Sequence, residues 1–519
     1  MIYTIQAAGR TIAVAPGTKL SSALNGAEIF VETPCGSRGY CRKCMVKVLG
    51  AAPPPTPADQ ERLTAAEINL GYRLSCQLAV TQDLAVAVVP VAAADPRKAA
   101  LGRLSGPVSV DPWAELRAGG RSVGLALDVG TTTMVAALLD LATGEELAAE
   151  SRPNPQAMHG ADLMSRLSYA TQGEANAAEL QAEVLEAARQ LLGRLCRKAG
   201  VPPEAVVAGT LAGNTAMHHL FFGLPVADLA VAPYTPAVLA GYAARLEGLP
   251  PLYALPNIAG FVGADAVAAG LAADIDQTEQ TLLVVDIGTN GEMLLAHKGN
   301  IYACSAPAGP AFEGGEISQG MRGGPGAIDA VQFDGADLAV GVIDGVPARG
   351  ICGSGLLDAV AALLQAKLMD PGGRLRPEGP AAHRLQSGGV RLADGVFLTQ
   401  KDVRALQLAK GAIRSGIDVL LKTAGIGPAD LDGIRLAGAF GNYLRRESAL
   451  SVGLLPPVAP ASVEPIGNAA AAGAKLVLLS RAARERAETL ARRTQHVELA
   501  THPDFEEIFL SALDFPRQG

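Results

Sequence analysis

Apolar and polar residues alternate along IYTIQAA, RTIAVA, CMVKVLG and DLAVAVVPV, the period-two pattern of half-buried strands. Between the last two lie a turn-rich excursion, AAPPPTPADQ, and a helical piece, ERLTAAEINL. Residues 1–94 therefore predict a small β-rich module with short helices. From Ala92 to Ser122 the pattern fades into Ala, Pro, Gly and Arg, and residues 95–121 read as a linker in which DPWAELRAGG forms one helical turn around the sole tryptophan. A tether of about 30 residues would let the first module swing over tens of ångströms. Beyond it, SVGLALDVG, QTLLVVDIG and GIRLAGAFG read as buried strands and ELQAEVLEAARQLLGRLCRKAG as a helix, an α/β pattern. Residues 124–145 (GLALDVGTTTMVAALLDLATGE) and 282–300 (LLVVDIGTNGEMLLAHKGN) echo one another as strand, Asp-x-Gly-Thr turn and second strand, which predicts an internal duplication.

A chain of 519 residues exceeds one ordinary core and predicts roughly three or four compact units. At 49% hydrophobic and 18% charged residues it is globular in composition, and no apolar run approaches the ~20 residues of a membrane span. The first twenty residues lack the basic stretch and apolar core of a secretory signal, so a cytoplasmic location is expected. A net charge of −8 gives no electrostatic footing for nucleic acid or an acidic membrane, leaving protein or small-molecule partners.

Four of the seven cysteines cluster, Cys35, Cys41 and Cys44 as C-x5-C-x2-C and Cys76 after 31 further residues; Cys196, Cys304 and Cys352 sit apart in apolar or glycine-rich runs and read as small core residues. Clustered thiols in a reducing compartment point to a metal centre. Three ligands on one wrapping loop and a fourth from a distant strand suit a [2Fe-2S] cluster, in which each iron takes two thiolates. Gly36 and Gly39 supply turns that let backbone N–H groups face the sulfurs. A four-cysteine zinc site is the alternative; Cys41 and Cys44 make one zinc knuckle, but Cys35 and Cys76 do not make a second. The loop spacing is one residue longer than the plant-type pattern and resembles adrenodoxin-like ferredoxins. Arg38, Arg42 and Lys43 on the loop are either solvated or a docking surface for an acidic partner.

Asp128 ends a strand and is followed by Gly130, Thr131 and Thr132, whose backbone N–H groups suit a phosphate. Asp286, Gly288, Thr289 and Asn290 repeat the arrangement, and two such loops facing each other would grip a phosphate chain and a hydrated Mg²⁺. Gly438, Gly441 and Asn442 in GAFGN follow an apolar strand, where a glycine turn would admit an adenosine. GADAVAAGLA (263–272) and GNAAAAGAKL (467–476) read as small-residue helices that cross closely and act as a hinge. Cys352 precedes Gly353, Ser354 and Gly355 at a helix start, a further position for phosphate.

In order, these motifs resemble the acetate and sugar kinase, heat-shock chaperone and actin superfamily. With the N-terminal cysteine module, the chain resembles the reductive activators of corrinoid proteins, including at NPQAMHGADLMSRL, AGNTAMHHLFFG, APAGPAFEGGEISQGM and ICGSGLLDAV. The resemblance implies a multidomain α/β and α+β fold: a β-grasp [2Fe-2S] ferredoxin domain (1–94), the linker, and duplicated ribonuclease H-like, actin-like ATPase lobes over 122–205 and 206–519. It implies the four cysteines as cluster ligands, Asp128 and Asp286 as catalytic phosphate-loop carboxylates, and Gly438 and Gly441 in the adenosine turn. Its cofactors would be the [2Fe-2S] cluster, ATP and Mg²⁺. Its partners would be a corrinoid protein of a methyltransferase system and an external low-potential electron donor, with a homodimer compatible. The activity implied is ATP-driven reduction of cob(II)alamin to cob(I)alamin. An activator of another low-potential metalloenzyme and a non-catalytic redox sensor are the alternatives. The run of cysteines that adds [4Fe-4S] clusters to methanogen members is absent at the C-terminus. His159, His218 and His219 invite a cobalt-ligand reading, although histidines in helices and loops are more often structural; Glu313, Glu316 and Arg322 either sense nucleotide or line a solvated loop.

Overall fold

The computed structural model describes residues 2–31, 33, 35–88, 102, 104, 108–117, 120–160 and 162–517. They fall into two units: residues 1–93 with 131–133 and 153–187, and residues 94–130, 134–152 and 188–519.

In the first unit, β1 (Tyr3–Ala7) and β2 (Arg10–Val14) form a hairpin whose turn residues, Ala8 and Gly9, both have positive φ, the geometry that matches strand twist. Helix α1 (Leu20–Gly26) follows, then β3 (Met45–Leu49), β4 (Tyr72–Leu74) and β5 (Leu84–Val88). The sheet order is β2-β1-β5-β3-β4, with β1 parallel to β5 and β3 antiparallel to β4 and β5. Ile5, Leu20, Leu24, Val46 and Leu74 fill the space between α1 and the sheet. This is a β-grasp ferredoxin fold. Cys35 to Cys44 lie on the loop between α1 and β3, and Cys76 lies two residues past β4. The unit also contains α2 (Leu163–Ala170), capped by Asp162, and the first half of α3 (Glu174–Ala199).

The second unit carries two six-stranded sheets. One contains β6 (Val123–Val129), β7 (Thr133–Asp140), β8 (Glu146–Pro153), β9 (Val206–Gly213), β10 (Tyr242–Ala244) and β11 (Leu252–Ala254), in the order β10-β11-β9-β6-β7-β8. The other contains β12 (Leu282–Ile287), β13 (Gly291–His297), β14 (Asn300–Ala306), β15 (Gly433–Ala437), β16 (Val463–Gly467) and β17 (Thr494–His496), in the order β16-β15-β12-β13-β14-β17. Each is built on an antiparallel hairpin, β6–β7 or β12–β13, whose first strand also pairs in parallel with β9 or β15. The duplication visible in the sequence is thus a duplication of sheets. Helices α4 (Thr215–Phe222), α5 (Ala264–Ala272), α6 (Gly353–Gln365), α7 (Gln400–Ala424) and α8 (Ala469–Leu479) cover them. Two small three-stranded sheets are inserted between residues 327 and 398.

The two small-residue helices meet. A Cβ added to Gly473 of α8 would lie 2.1 Å from the Ala268 carbonyl oxygen on α5, so the backbones touch where only glycine fits.

Residues 89–94, the end of the predicted first module, and residues 95–101, 103, 105–107, 118 and 119 of the stretch read as a linker lie outside the described residues. Its described remainder is anchored on the second unit. Asp111 bridges to Ser480, and Lys475 donates to the Gly102 carbonyl at 2.8 Å. No helical turn forms over 111–117. Trp113 packs edge-on to Tyr253 with Arg484 over both rings, so burial of the indole fixes this segment in place of helical hydrogen bonds.

Candidate functional site

The cysteine loop needs left-handed backbone. Gly36, Ser37, Gly39 and Arg42 all have φ between +57° and +81°, which folds ten residues tightly enough to bring their thiols to the distant Cys76. Cys44 and Cys76 sulfurs stand 3.2 Å apart, and Cys35 pairs with Cys41. Within each pair one thiol hydrogen-bonds the other, which lowers the pKa of one, Cys35 to about 5 and Cys76 to about 7, and raises that of Cys41 and Cys44. Two thiol pairs, each sharing a proton, suit two irons. Cys76 is locked into register by its neighbours: Ser75 donates to the Cys44 carbonyl at 2.8 Å, and the buried Asp59 accepts from Leu74 N–H at 2.7 Å. Of the loop cations, Arg38 donates to the Cys35 carbonyl and lies over Tyr40, while Arg42 pairs with Glu67. Replacing Cys76 by serine should therefore abolish the charge-transfer bands of the assembled cluster while leaving ATP hydrolysis in place, checked by visible spectroscopy and phosphate release.

The second constellation is acidic. Asp128 ends β6, Asp286 lies near the end of β12, Asp265 opens α5, and Glu292 stands directly across from Asp286 on β13. Burial is the main cause pushing all four upward: Asp128 to about 6, Asp265 and Asp286 to about 7, and Glu292 well above the ordinary carboxylate range. The charges of the other carboxylates add to the effect on Asp265, Asp286 and Glu292. Among the described residues no lysine or arginine pairs with them; Asp128 has a hydrogen bond from the Asn468 side chain at 2.8 Å, and Glu292 one from Ser305. Crowded carboxylates without a cationic side chain fit a hydrated divalent cation.

This crowding has a measurable consequence. A carboxyl whose pKa is raised in the folded state contributes stability that is complete below its unfolded pKa and is lost as pH rises through its folded value. Nucleotide-free and Mg²⁺-free protein is therefore expected to melt at lower temperature at pH 8 than at pH 6, after allowance for other groups. Asp286→Asn should flatten that dependence, checked by thermal unfolding at several pH values.

Gly438 has φ +86°, and a Cβ there would lie 2.5 Å from Asp286 Oδ1, so the glycine turn stands directly over the second carboxylate. Gly441 and Asn442 follow in the same short turn, and Gly441 lies against Leu436. Gly288 and Asn290 close the turn after Asp286 by a backbone hydrogen bond of 3.1 Å, and Thr289 donates to Glu313 at 2.6 Å. Gly130 follows β6; Thr131 and Thr132 accept backbone-directed bonds through their carbonyls, from the buried Arg166 and from Asn154 N–H. Gly353, Ser354 and Gly355 open α6 as packing positions: a Cβ at Gly353 would strike the Phe312 carbonyl and one at Gly355 the Ile328 carbonyl, while Ser354 is buried beside Cys352.

Asp265, Glu292 and Asn468 were not singled out from the sequence. Each lies in a motif read for another property: Asp265 and Asn468 in the small-residue helices, Glu292 at the end of DIGTNGE. His218 and His219 are fully buried; desolvation takes His218 down to about 3, and His219 bonds the Thr215 carbonyl. They are interior groups. Cys196, Cys304 and Cys352 are likewise buried.

A β-grasp module with a four-thiol loop, joined to a duplicated actin-like sheet pair with an acidic centre, defines an iron–sulfur protein with an ATPase-type fold. Three family models cover the chain: a 2Fe-2S iron-sulfur cluster binding domain over residues 3–81, the RACo middle region over 123–278, and the C-terminal ASKHA domain of RACo over 280–519. The chain is 34% identical over 417 residues to the corrinoid activation enzyme RamQ of Eubacterium limosum, covering 75% of this chain and 69% of that one. It is 29% identical over 444 residues to the Co(II) methylated amine-specific corrinoid protein reductase of Methanosarcina barkeri, covering 76% and 77%. A solved reductive activator for a corrinoid, iron-sulfur protein superposes with a TM-score of 0.71 at 28% identity, over 99% of this chain and 98% of the other. The chain belongs to the family of reductive activators of corrinoid proteins. Among the described residues no helix is long and apolar enough to cross a membrane.

Proposed function

We propose that this protein uses ATP hydrolysis to deliver single electrons to the inactive cob(II)alamin of a corrinoid protein in a methyltransferase system, regenerating cob(I)alamin. The observation that carries the reading is the presence on one chain of two paired-thiol donor sets and of a cation-free carboxylate centre beside a glycine turn. When bound, a [2Fe-2S] cluster supplies one-electron transfer, and Mg·ATP supplies free energy for a reduction that is uphill for ordinary donors.

In this reading Cys35, Cys41, Cys44 and Cys76 hold the cluster, which an external low-potential donor recharges. Asp128 and Asp286, joined by Asp265 and Glu292, hold Mg²⁺ through water. Gly130, Gly288, Thr289 and Asn290 offer backbone N–H groups to the phosphates, and Gly438, Gly441 and Asn442 form the adenosine turn. Gly353, Ser354 and Gly355 at the start of α6 offer a further position for phosphate. Asn468 orients Asp128 from the start of α8, so a change in the α5–α8 crossing would be felt at the carboxylates. ATP then acts through different affinities of two conformations for the partner. For one electron, roughly 59 mV of potential is a tenfold bias, so each tenfold difference in affinity between the two conformations can shift the reduction by about that much.

The test is the rate of cob(I)alamin formation on the partner corrinoid protein, followed spectroscopically with and without Mg·ATP. A large acceleration is expected; equal rates would refute the coupling.

A further inference from the structure

We infer that His159, Glu179 and Glu183 form a binding site for one first-row divalent cation, with Zn²⁺ as its natural probe, that clips the His159–Gly160 turn to α3 beside the cysteine loop. The three residues each present a ligand atom within 4.8 Å of the others. Glu179 and Glu183 are one helical turn apart on α3 and so share a face. His159 Nε2 lies 3.0 Å from Glu183 Oε1, while Glu183 Oε2 is shielded from solvent and has no hydrogen-bond partner. The Glu183 carboxylate is thus held to His159 through one oxygen while its shielded second oxygen keeps its lone pairs free, a donor that a cation can use.

A supporting shell is also present. Tyr169 donates its hydroxyl to Glu179 Oε2 at 2.5 Å, and its ring lies against the His159 imidazole at 4.5 Å, so one residue orients two ligands. One imidazole nitrogen with carboxylate oxygens suits a borderline cation such as Zn²⁺; Mg²⁺ prefers an all-oxygen, well-hydrated site.

The location gives the cation a role. A Cβ on Gly36 would lie 3.3 Å from Gly160 Cα and 3.6 Å from the His159 carbonyl oxygen, so the cysteine loop rests on the peptide that follows His159. The buried Arg166 holds the Gly160 carbonyl at 2.9 Å from the other side. Tying His159 to α3 would therefore stiffen the seat on which the loop lies.

The experiment uses the full-length protein with its cluster assembled and oxidised, so that the four clustered cysteines are already engaged. Zn²⁺ is titrated against a chromophoric chelator in excess Mg²⁺, which occupies the carboxylate centre. One Zn²⁺ per chain is expected. His159→Gln and the isosteric Glu183→Gln should each weaken it by about tenfold or more, and Tyr169→Phe by about 10–100-fold, with the cluster's visible spectrum unchanged. Absence of stoichiometric binding, equal affinity in Glu183→Gln, or zinc uptake only with bleaching of the cluster would overturn the site. Because Zn²⁺ affinity is read without turnover, failure here is distinguishable from failure of the proposed reductase activity.

Discussion

Asp286→Asn is expected to lower ATP hydrolysis by about a hundredfold or more while leaving the visible spectrum of the cluster intact. The substitution is nearly isosteric, so it tests charge. Asp286 stands opposite Glu292 across the β12–β13 pair, under the Gly438 turn, and shares its surroundings with Asp265 and Asp128. Without a cation the four carboxylates repel, and the folded state favours their protonated forms. Removing one charge relieves that repulsion, so the same variant should be more stable than the parent at pH 8 in the absence of Mg²⁺. With Mg²⁺ and nucleotide the order should reverse, because one of the groups that binds the hydrated cation has lost its charge. Loss of activity with gain of apo stability is the signature of a group selected for binding at a cost in folding. Phosphate release, thermal unfolding in both conditions and the visible spectrum together check it. Loss of the cluster bands along with activity would mean that Asp286 acts on the whole fold.

How much of this site was visible in the sequence follows from how local each feature is. The cysteine loop is local, since Cys35, Cys41 and Cys44 lie within ten residues and the glycines that bend the loop lie between them. The two Asp-x-Gly-Thr turns are also local, and their repetition exposed the duplication now seen as two matching sheets. Glu292 is different: it matters because hairpin register puts it across from Asp286, and register becomes visible only when both strands are paired. Asp265 and Asn468 are far apart in sequence from the aspartates they serve and were masked by alanine-rich surroundings. In ICGSG the sequence shows a glycine-rich helix start but not why both positions must be glycine: the carbonyls of Phe312 and Ile328 press on Gly353 and Gly355, a fact of tertiary packing. The predicted helical turn over DPWAELRAGG gave way because Trp113 gains more from burial against Tyr253 and Arg484 than a single short turn could offer.

The crossing of α5 and α8 leads to the second large effect. Gly473→Val places a Cβ 2.1 Å from the Ala268 carbonyl oxygen and 2.5 Å from its Cα, atoms of a helical backbone that cannot rotate away. The helices must part, and overpacking of this kind costs about 1–3 kcal/mol or more. The displacement is not confined to the core. Asp265 stands in the first turn of α5, and Asn468, which holds Asp128 at 2.8 Å, caps α8. Parting the helices therefore moves Asp265 away from the Asn468 amide that holds Asp128. ATP hydrolysis should fall by at least tenfold, out of proportion to the stability lost, and the melting temperature should drop by several degrees. Gly193→Ala on α3 is the matched control, because its nearest neighbour would be the flexible end of Arg197 at 3.7 Å. It should raise helix stability by about 0.4–1 kcal/mol and leave hydrolysis unchanged. If Gly473→Val lost stability but retained full ATPase activity, the crossing would be a packing feature alone, and communication between the sheets would have to run elsewhere.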